Sequence, residues 1–332
     1  MKFIRIILFP IVPIYYIVTW LRNKLYDLGI KSSKSYNFPV VCVGNLSTGG
    51  TGKTPMIEYL IRLLKDEKSI ATLSRGYKRK TEGFVLADKN ANADTIGDEP
   101  FQFYNKFEDI LVTVDGDRQN AIEQLRSLSP KPEIILLDDA YQHRKVKAGF
   151  NILLTAYNNL YYTDIVLPTG NLREPRSGAK RADIIVVTKC SKDISEVEKN
   201  KISSKIKLEK HQKLFFSYVN YADKVISSLN SLKLATLPKF TLVTGIANSK
   251  PLVDFLASKG LKFDHLEFSD HYNFRPSDID NLVSKSLIIT TEKDYVRLSA
   301  NENLKDKLYY LPIQIKIDNS DIFKDMIKSF IS

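Results

Sequence analysis

The sequence predicts an α/β fold: a mostly parallel sheet covered by helices on both faces, with a smaller α/β unit after it and an apolar helix in front. Three observations carry this. Short apolar runs rich in β-branched residues recur at 40–43, 70–73, 110–114, 134–137, 152–155 and 184–188. Such runs suit strands buried on both faces. Helix-like stretches, for example 56–65 and 117–128, lie between several of them, as the crossovers between parallel strands require. A second alternation starts near residue 240, with strand-like runs at 240–244, 263–268, 287–291 and 308–315 and a helix over 248–258. A chain of 332 residues exceeds one ordinary core. Units are therefore expected at 1–30, 31–219 and 220–332.

The composition, 43% hydrophobic and 26% charged, is that of a globular protein without low-complexity segments. Lys and Arg number 49 against 38 Asp and Glu, a net charge of +11 that favours anionic partners. The two cysteines, Cys42 and Cys190, each fall in or beside an apolar strand-like run. They form no disulfide framework and fit a reduced compartment. No Cys/His cluster has zinc spacing.

At the N-terminus, residues 6–21 are almost wholly apolar, interrupted by Pro10 and Pro13 and flanked by Lys2, Arg5, Arg22, Lys24, Lys31 and Lys34. The run is shorter than the roughly 20 residues that cross a bilayer squarely. A signal peptide is the competing reading, but no small-residue cleavage site follows. Tyr15, Tyr16 and Trp20 among basic residues suit an interfacial anchor, and a buried core helix is the other alternative. The basic residues downstream favour a body on the cytoplasmic side.

The first strand-like run opens into Gly44-Asn45-Leu46-Ser47-Thr48-Gly49-Gly50-Thr51-Gly52-Lys53-Thr54, followed by an amphipathic helix. Strand, glycine loop and helix in this order make a P-loop NTPase-type element. Glycines let successive N–H groups turn toward one anion, the helix N-terminus adds partial positive charge, and Lys53 adds a full one. Ser47 to Thr54 is therefore expected to cradle nucleotide phosphate, with the Thr54 hydroxyl on Mg²⁺. Ser47 stands where the general pattern has its first glycine.

Ligands of such sheets sit beyond the carboxyl ends of the strands. The run 134–137 ends in Asp138 and Asp139, which read either as turn residues or as the carboxylates that reach Mg²⁺. Arg75 follows 70–73 and is either a solvated charge or a phosphate partner. Gly97-Asp98-Glu99-Pro100 reads as a helix start with Asp98 as N-cap, or as a base facing the nucleotide. Spacing leaves both open. Residues 163–181, with Pro168, Gly170, Pro175 and Gly178, read as a long loop over the strand edges. The 196–210 stretch reads as a solvated charged helix.

Taken together, these strings resemble the tetraacyldisaccharide 4'-kinase family from the anchor nearly to the end. They continue with Leu167-Pro168-Thr169-Gly170-Asn171-Leu172-Arg173-Glu174-Pro175, Asp138-Asp139-Ala140-Tyr141-Gln142-His143, Thr244-Gly245-Ile246-Ala247, Asp270-His271-Tyr272 and Thr291-Glu292-Lys293-Asp294. Tyr141 stands where Phe is expected. The resemblance implies transfer of the ATP γ-phosphate to the 4'-hydroxyl of a tetraacyl disaccharide 1-phosphate, at the cytoplasmic face of the inner membrane. It implies ATP and Mg²⁺ as cofactors, an acylated lipid and the membrane surface as partners, no nucleic acid, and a monomer. It further implies Asp98 as base with His271 as dyad partner, Asp138 and Asp139 on the Mg²⁺ side, and Arg75, Arg173 and Glu174 as active-site polar residues. A site between the two units, gated by their closure, would follow.

Two other classes suit the loop alone. A nucleotide-hydrolysing switch would use Thr188-Lys189 for base recognition, but Ser191 stands where that motif has Asp. A membrane scaffold would hold an anion without turnover.

Overall fold

The computed structural model describes residues 5, 7–270 and 272–332. Lys2, Ile6 and His271, named above, lie outside them. In chain order the strands are β1 (Val40–Asn45), β2 (Ile70–Ser74), β3 (Val85–Leu86), β4 (Ile110–Val114), β5 (Ile134–Asp138), β6 (Phe150–Ala156), β7 (Ile184–Thr188) and β8 (Lys213–Tyr221). There follow β9 (Lys224–Ile226), β10 (Ser231–Lys233), β11 (Phe240–Thr244), β12 (Phe263–Glu267), β13 (Ile288–Thr290), β14 (Leu308–Tyr310) and β15 (Ile313–Ile317).

Among the described residues these strands make two sheets. The larger runs β15-β8-β7-β6-β1-β5-β2-β4-β3, parallel except at its two edges, where β15 and β3 pair antiparallel. β1 sits between β5 and β6, so the loop that follows it leaves from the middle of the sheet. Alternation along β1 divides the core: Val41 and Val43 pack on one face, Val40 and Cys42 on the other. Both faces are apolar because helices cover both. Helix Lys53–Leu64 buries Met56, Ile57, Leu60, Ile61 and Leu64, at helical spacing, on the first of these faces. Helix Arg118–Ser127 buries Ala121, Ile122 and Leu125 on the second.

The smaller sheet runs β10-β9-β14-β13-β11-β12, parallel through β14-β13-β11-β12. Helix Lys250–Ser258 packs on one of its faces and Pro276–Val283 on the other. The expected unit 220–332 meets one difference. The apolar run 308–315 divides at Pro312: β14 stays in the smaller sheet, while β15 returns to the larger one beside β8. Helix Ser320–Ile331 then buries Phe323, Ile327 and Ile331 under the large sheet. The Phe323 ring meets Tyr59 and Phe215 edge-on, at 5.6 and 5.2 Å between centroids. Two apolar stripes facing different cores could not be separated by their periodicity alone.

Helix Val12–Asp27 is inverted relative to a core helix. Tyr15, Thr19, Arg22 and Asn23 turn toward the protein, while Ile14, Ile17, Val18 and Leu21 stand exposed. The buried-core alternative for this segment is therefore not what forms. No helix among the described residues is long and apolar enough to cross a membrane.

Candidate active site

The glycine loop is built by backbone freedom and by polar packing from three sides. Gly49 and Gly52 take φ of +101° and +87°, a region open to glycine. A Cβ on Gly44 would stand 2.6 Å from that of Tyr141, so β1 and the 140–142 turn meet at a distance only glycine permits. Asn45, fully buried at the end of β1, donates to the Thr51 hydroxyl at 2.7 Å. Thr188 donates to the Thr51 carbonyl at 2.8 Å, and Lys189 to that of Gly50 at 2.6 Å. The long loop runs alongside: Thr48 N–H bonds the Asn171 carbonyl, and Arg173 N–H that of Leu46, both at 2.7 Å. Ser47 bridges to Leu172.

Cations and carboxylates converge at the mouth. Lys53 Nζ is 3.7 Å from Asp139 Oδ2. Arg173 binds both Asp139 oxygens, at 3.2 and 2.7 Å, and donates to the carbonyl and side chain of Asn45. Burial pushes Asp139 up, but Lys53 and Arg173 outweigh it and hold the carboxyl below its ordinary range. Asp138 behaves oppositely. Burial first, then the Asp139 carboxylate, pushes it up to about 7. Ser74 donates to its Oδ2 at 3.2 Å, while the buried Oδ1 has no hydrogen-bond partner among the described residues. A buried carboxylate oxygen left this way beside a phosphate cradle fits Mg²⁺. Thr54 lies in the first turn of helix Lys53–Leu64 at the same mouth.

Arg75 stands exposed just past β2, with no ion pair among the described residues. Asp98 opens helix Asp98–Lys106 but does not cap it: Gly97, at φ +91°, holds the cap position. The Asp98 carboxylate is instead gripped by Arg297, Nε donating to Oδ1 at 3.0 Å and a second guanidinium nitrogen to Oδ2. Its neighbour Glu99 is close enough to raise Asp138 further. Glu174 lies 1% exposed and accepts from Asn23, Gln142 and Arg181. It braces the loop and the N-terminal helix. Tyr141, the unexpected hydroxyl, donates to the Gly178 carbonyl at 2.8 Å.

Arg297 and Asn45 carry contacts for which the sequence alone assigned no role, and Lys189, weighed there only for base recognition, instead donates to the Gly50 carbonyl. For Asn45 the signal was a polar side chain ending an apolar strand. For Arg297 it was a second cation four residues after Lys293, on the same helix face.

A model of the family described as tetraacyldisaccharide-1-P 4'-kinase matches residues 4–332. A tetraacyldisaccharide 4'-kinase of Flavobacterium johnsoniae is 53% identical over 319 residues, covering 95% of this chain and 93% of the relative. One of Bacteroides fragilis is 43% identical over 347 residues, covering 98% and 92%. The solved structure of LpxK from Aquifex aeolicus in complex with ATP superposes with a TM-score of 0.80 at 29% identity, covering 99% of this chain and all of that one. The chain belongs to the tetraacyldisaccharide-1-phosphate 4'-kinase family.

Proposed function

We propose that this protein transfers the γ-phosphate of ATP to the 4'-hydroxyl of a tetraacyl disaccharide 1-phosphate, the 4'-kinase reaction its relatives are named for, as a step of lipid A synthesis. The observation that carries the site reading is the mouth of the glycine loop, where Lys53 and Arg173 meet on Asp139 beside the Asp138 oxygen that has no hydrogen-bond partner among the described residues. The amides of Ser47 to Gly52 and the Lys53 ammonium hold the outer phosphates. Thr54, Asp138 and Asp139 would hold Mg²⁺, which supplies neutralisation of phosphate charge when bound. Arg75 and Arg173 take up charge on the transferred group. Asp98 accepts the proton of the attacking hydroxyl, with His271 as its partner. Glu174 serves by fixing Arg173's loop.

The acyl chains keep the substrate in the bilayer, at about 0.8 kcal/mol per buried methylene. The protein meets it there through the exposed apolar face of helix Val12–Asp27, lying in the interface on the cytoplasmic side. That helix donates from Tyr15 to the Arg173 carbonyl at 3.0 Å, joining the membrane side to the catalytic loop.

Incubation with labelled ATP and tetraacyl disaccharide 1-phosphate in mixed micelles should place label on the glycolipid. Lys53→Ala should reduce that transfer by about a hundredfold or more. Label released only as inorganic phosphate would mark a hydrolytic switch instead, and the absence of turnover a scaffold.

A further inference from the structure

We propose that Arg297 is a positioning residue for phosphoryl transfer, holding the Asp98 carboxylate in register with Asp270 and Tyr272 of the second unit. The inference rests on the reading of Asp98 as base and His271 as its partner. Arg297 lies on helix Glu292–Leu298 and its guanidinium points two ways. Nε and one terminal nitrogen clasp both oxygens of Asp98, and the other terminal nitrogen donates to the Tyr272 carbonyl at 2.8 Å. One turn earlier on the same helix, Lys293 Nζ donates to Asp270 Oδ1 at 2.9 Å. The residues on both sides of position 271 are thus held by one helix face, and the same arginine holds Asp98.

A planar fork sets the rotation of a carboxylate as well as its position, which a flexible ammonium does not. The clasp takes two of the roughly four acceptor sites that a carboxylate has. The pair is not a surface ornament: the Arg297 and Asp98 side chains are 11% and 12% exposed. The helix that presents Arg297 is itself fixed. Asp294 accepts from the Gly245 amide at 2.9 Å and the Thr291 hydroxyl at 2.7 Å. Glu292 accepts from Gln102 and Lys106, both on the helix that Asp98 opens.

Steady-state kinetics of the full chain test this. Arg297→Gln should lower kcat by about tenfold to a hundredfold while KM for ATP stays within about twofold. Arg297→Lys should recover part of the loss, keeping the charge without the fork. In an Asp98→Asn background, Arg297→Gln should cost nothing further, because the group it positions is gone. Parental kcat in Arg297→Gln, or losses that multiply in the double variant, would overturn the proposal while leaving Asp98 in place. Parental kcat in Asp98→Asn would overturn the base reading and this inference with it. Should Arg297→Gln fail to fold, Arg297→Lys decides: reduced kcat at constant KM supports the role, parental kcat refutes it.

Discussion

Glu174 accepts hydrogen bonds from Asn23 on the N-terminal helix, Gln142 after β5 and Arg181 at the end of its own loop. Removing a carboxylate so enclosed strands the Arg181 guanidinium, and breaking a buried pair by taking one partner costs about 3–5 kcal/mol. Glu174→Ala should therefore unfold at lower denaturant concentration with an unchanged slope, as chemical denaturation will measure, and keep its KM for ATP where it remains folded. A large rise in that KM without loss of stability would place Glu174 on the phosphates instead. The residue scale is where sequence alone resolved least. Asp98 opens its helix as an N-cap candidate would, yet a side chain that binds it comes from position 297, 199 residues away. The strand, glycine loop and helix around Lys53 were legible because their form depends on neighbours in the chain, whereas the environments of Asp98 and Glu174 depend on folding.

Among the elements, the N-terminal helix has its polar side chains on the protein and its apolar ones outside. Ile14, Ile17, Val18 and Leu21 recur at i, i+3, i+4 and i+7, each 48–63% exposed. A contiguous apolar face of this kind marks a binding surface, and burying each such side chain contributes about 1.5–3 kcal/mol. Replacing Ile17 and Leu21 together by Asp should abolish cosedimentation with anionic vesicles while leaving thermal stability within about 1 kcal/mol of the parent, since neither side chain packs inward. Retained vesicle binding would remove this face from the membrane contact. The strands of the large sheet were legible because both-face burial makes each an apolar run, and the loop over 163–181 was legible from its Pro and Gly content. The destination of β15 was not, since an amphipathic strand carries no record of which sheet it joins.

Across the whole molecule, the two units meet through a buried charged cluster as well as through Arg297. Glu58 on the P-loop helix and Glu292 on the helix of Arg297 are bridged by Gln102 and Lys106 from the Asp98 helix, and Arg62 donates to Glu58 at 2.9 Å. The cluster thus ties the nucleotide loop, the proposed base and the second unit to one another. Two carboxylates share it with Lys106 and Arg62, in a setting where water screens little. Burial first, and then the Glu58 charge, pushes Glu292 up to about 7 despite Lys106 and Arg62. An acid whose folded value lies above its unfolded one binds more protons in the native state. Its contribution is full below about pH 4.5 and is lost as pH rises through about 7. A rise from 4.5 to about 7 corresponds to about 3 kcal/mol. Glu292→Gln keeps the shape and removes the titration. Its unfolding temperature relative to the parent should therefore be higher at about pH 8 than at about pH 5.5, with the gap closing or reversing on the acid side. Scanning calorimetry at the two pH values reads the difference directly, and an equal gap at both would show that Glu292 ionises in the folded protein as it does in the unfolded chain.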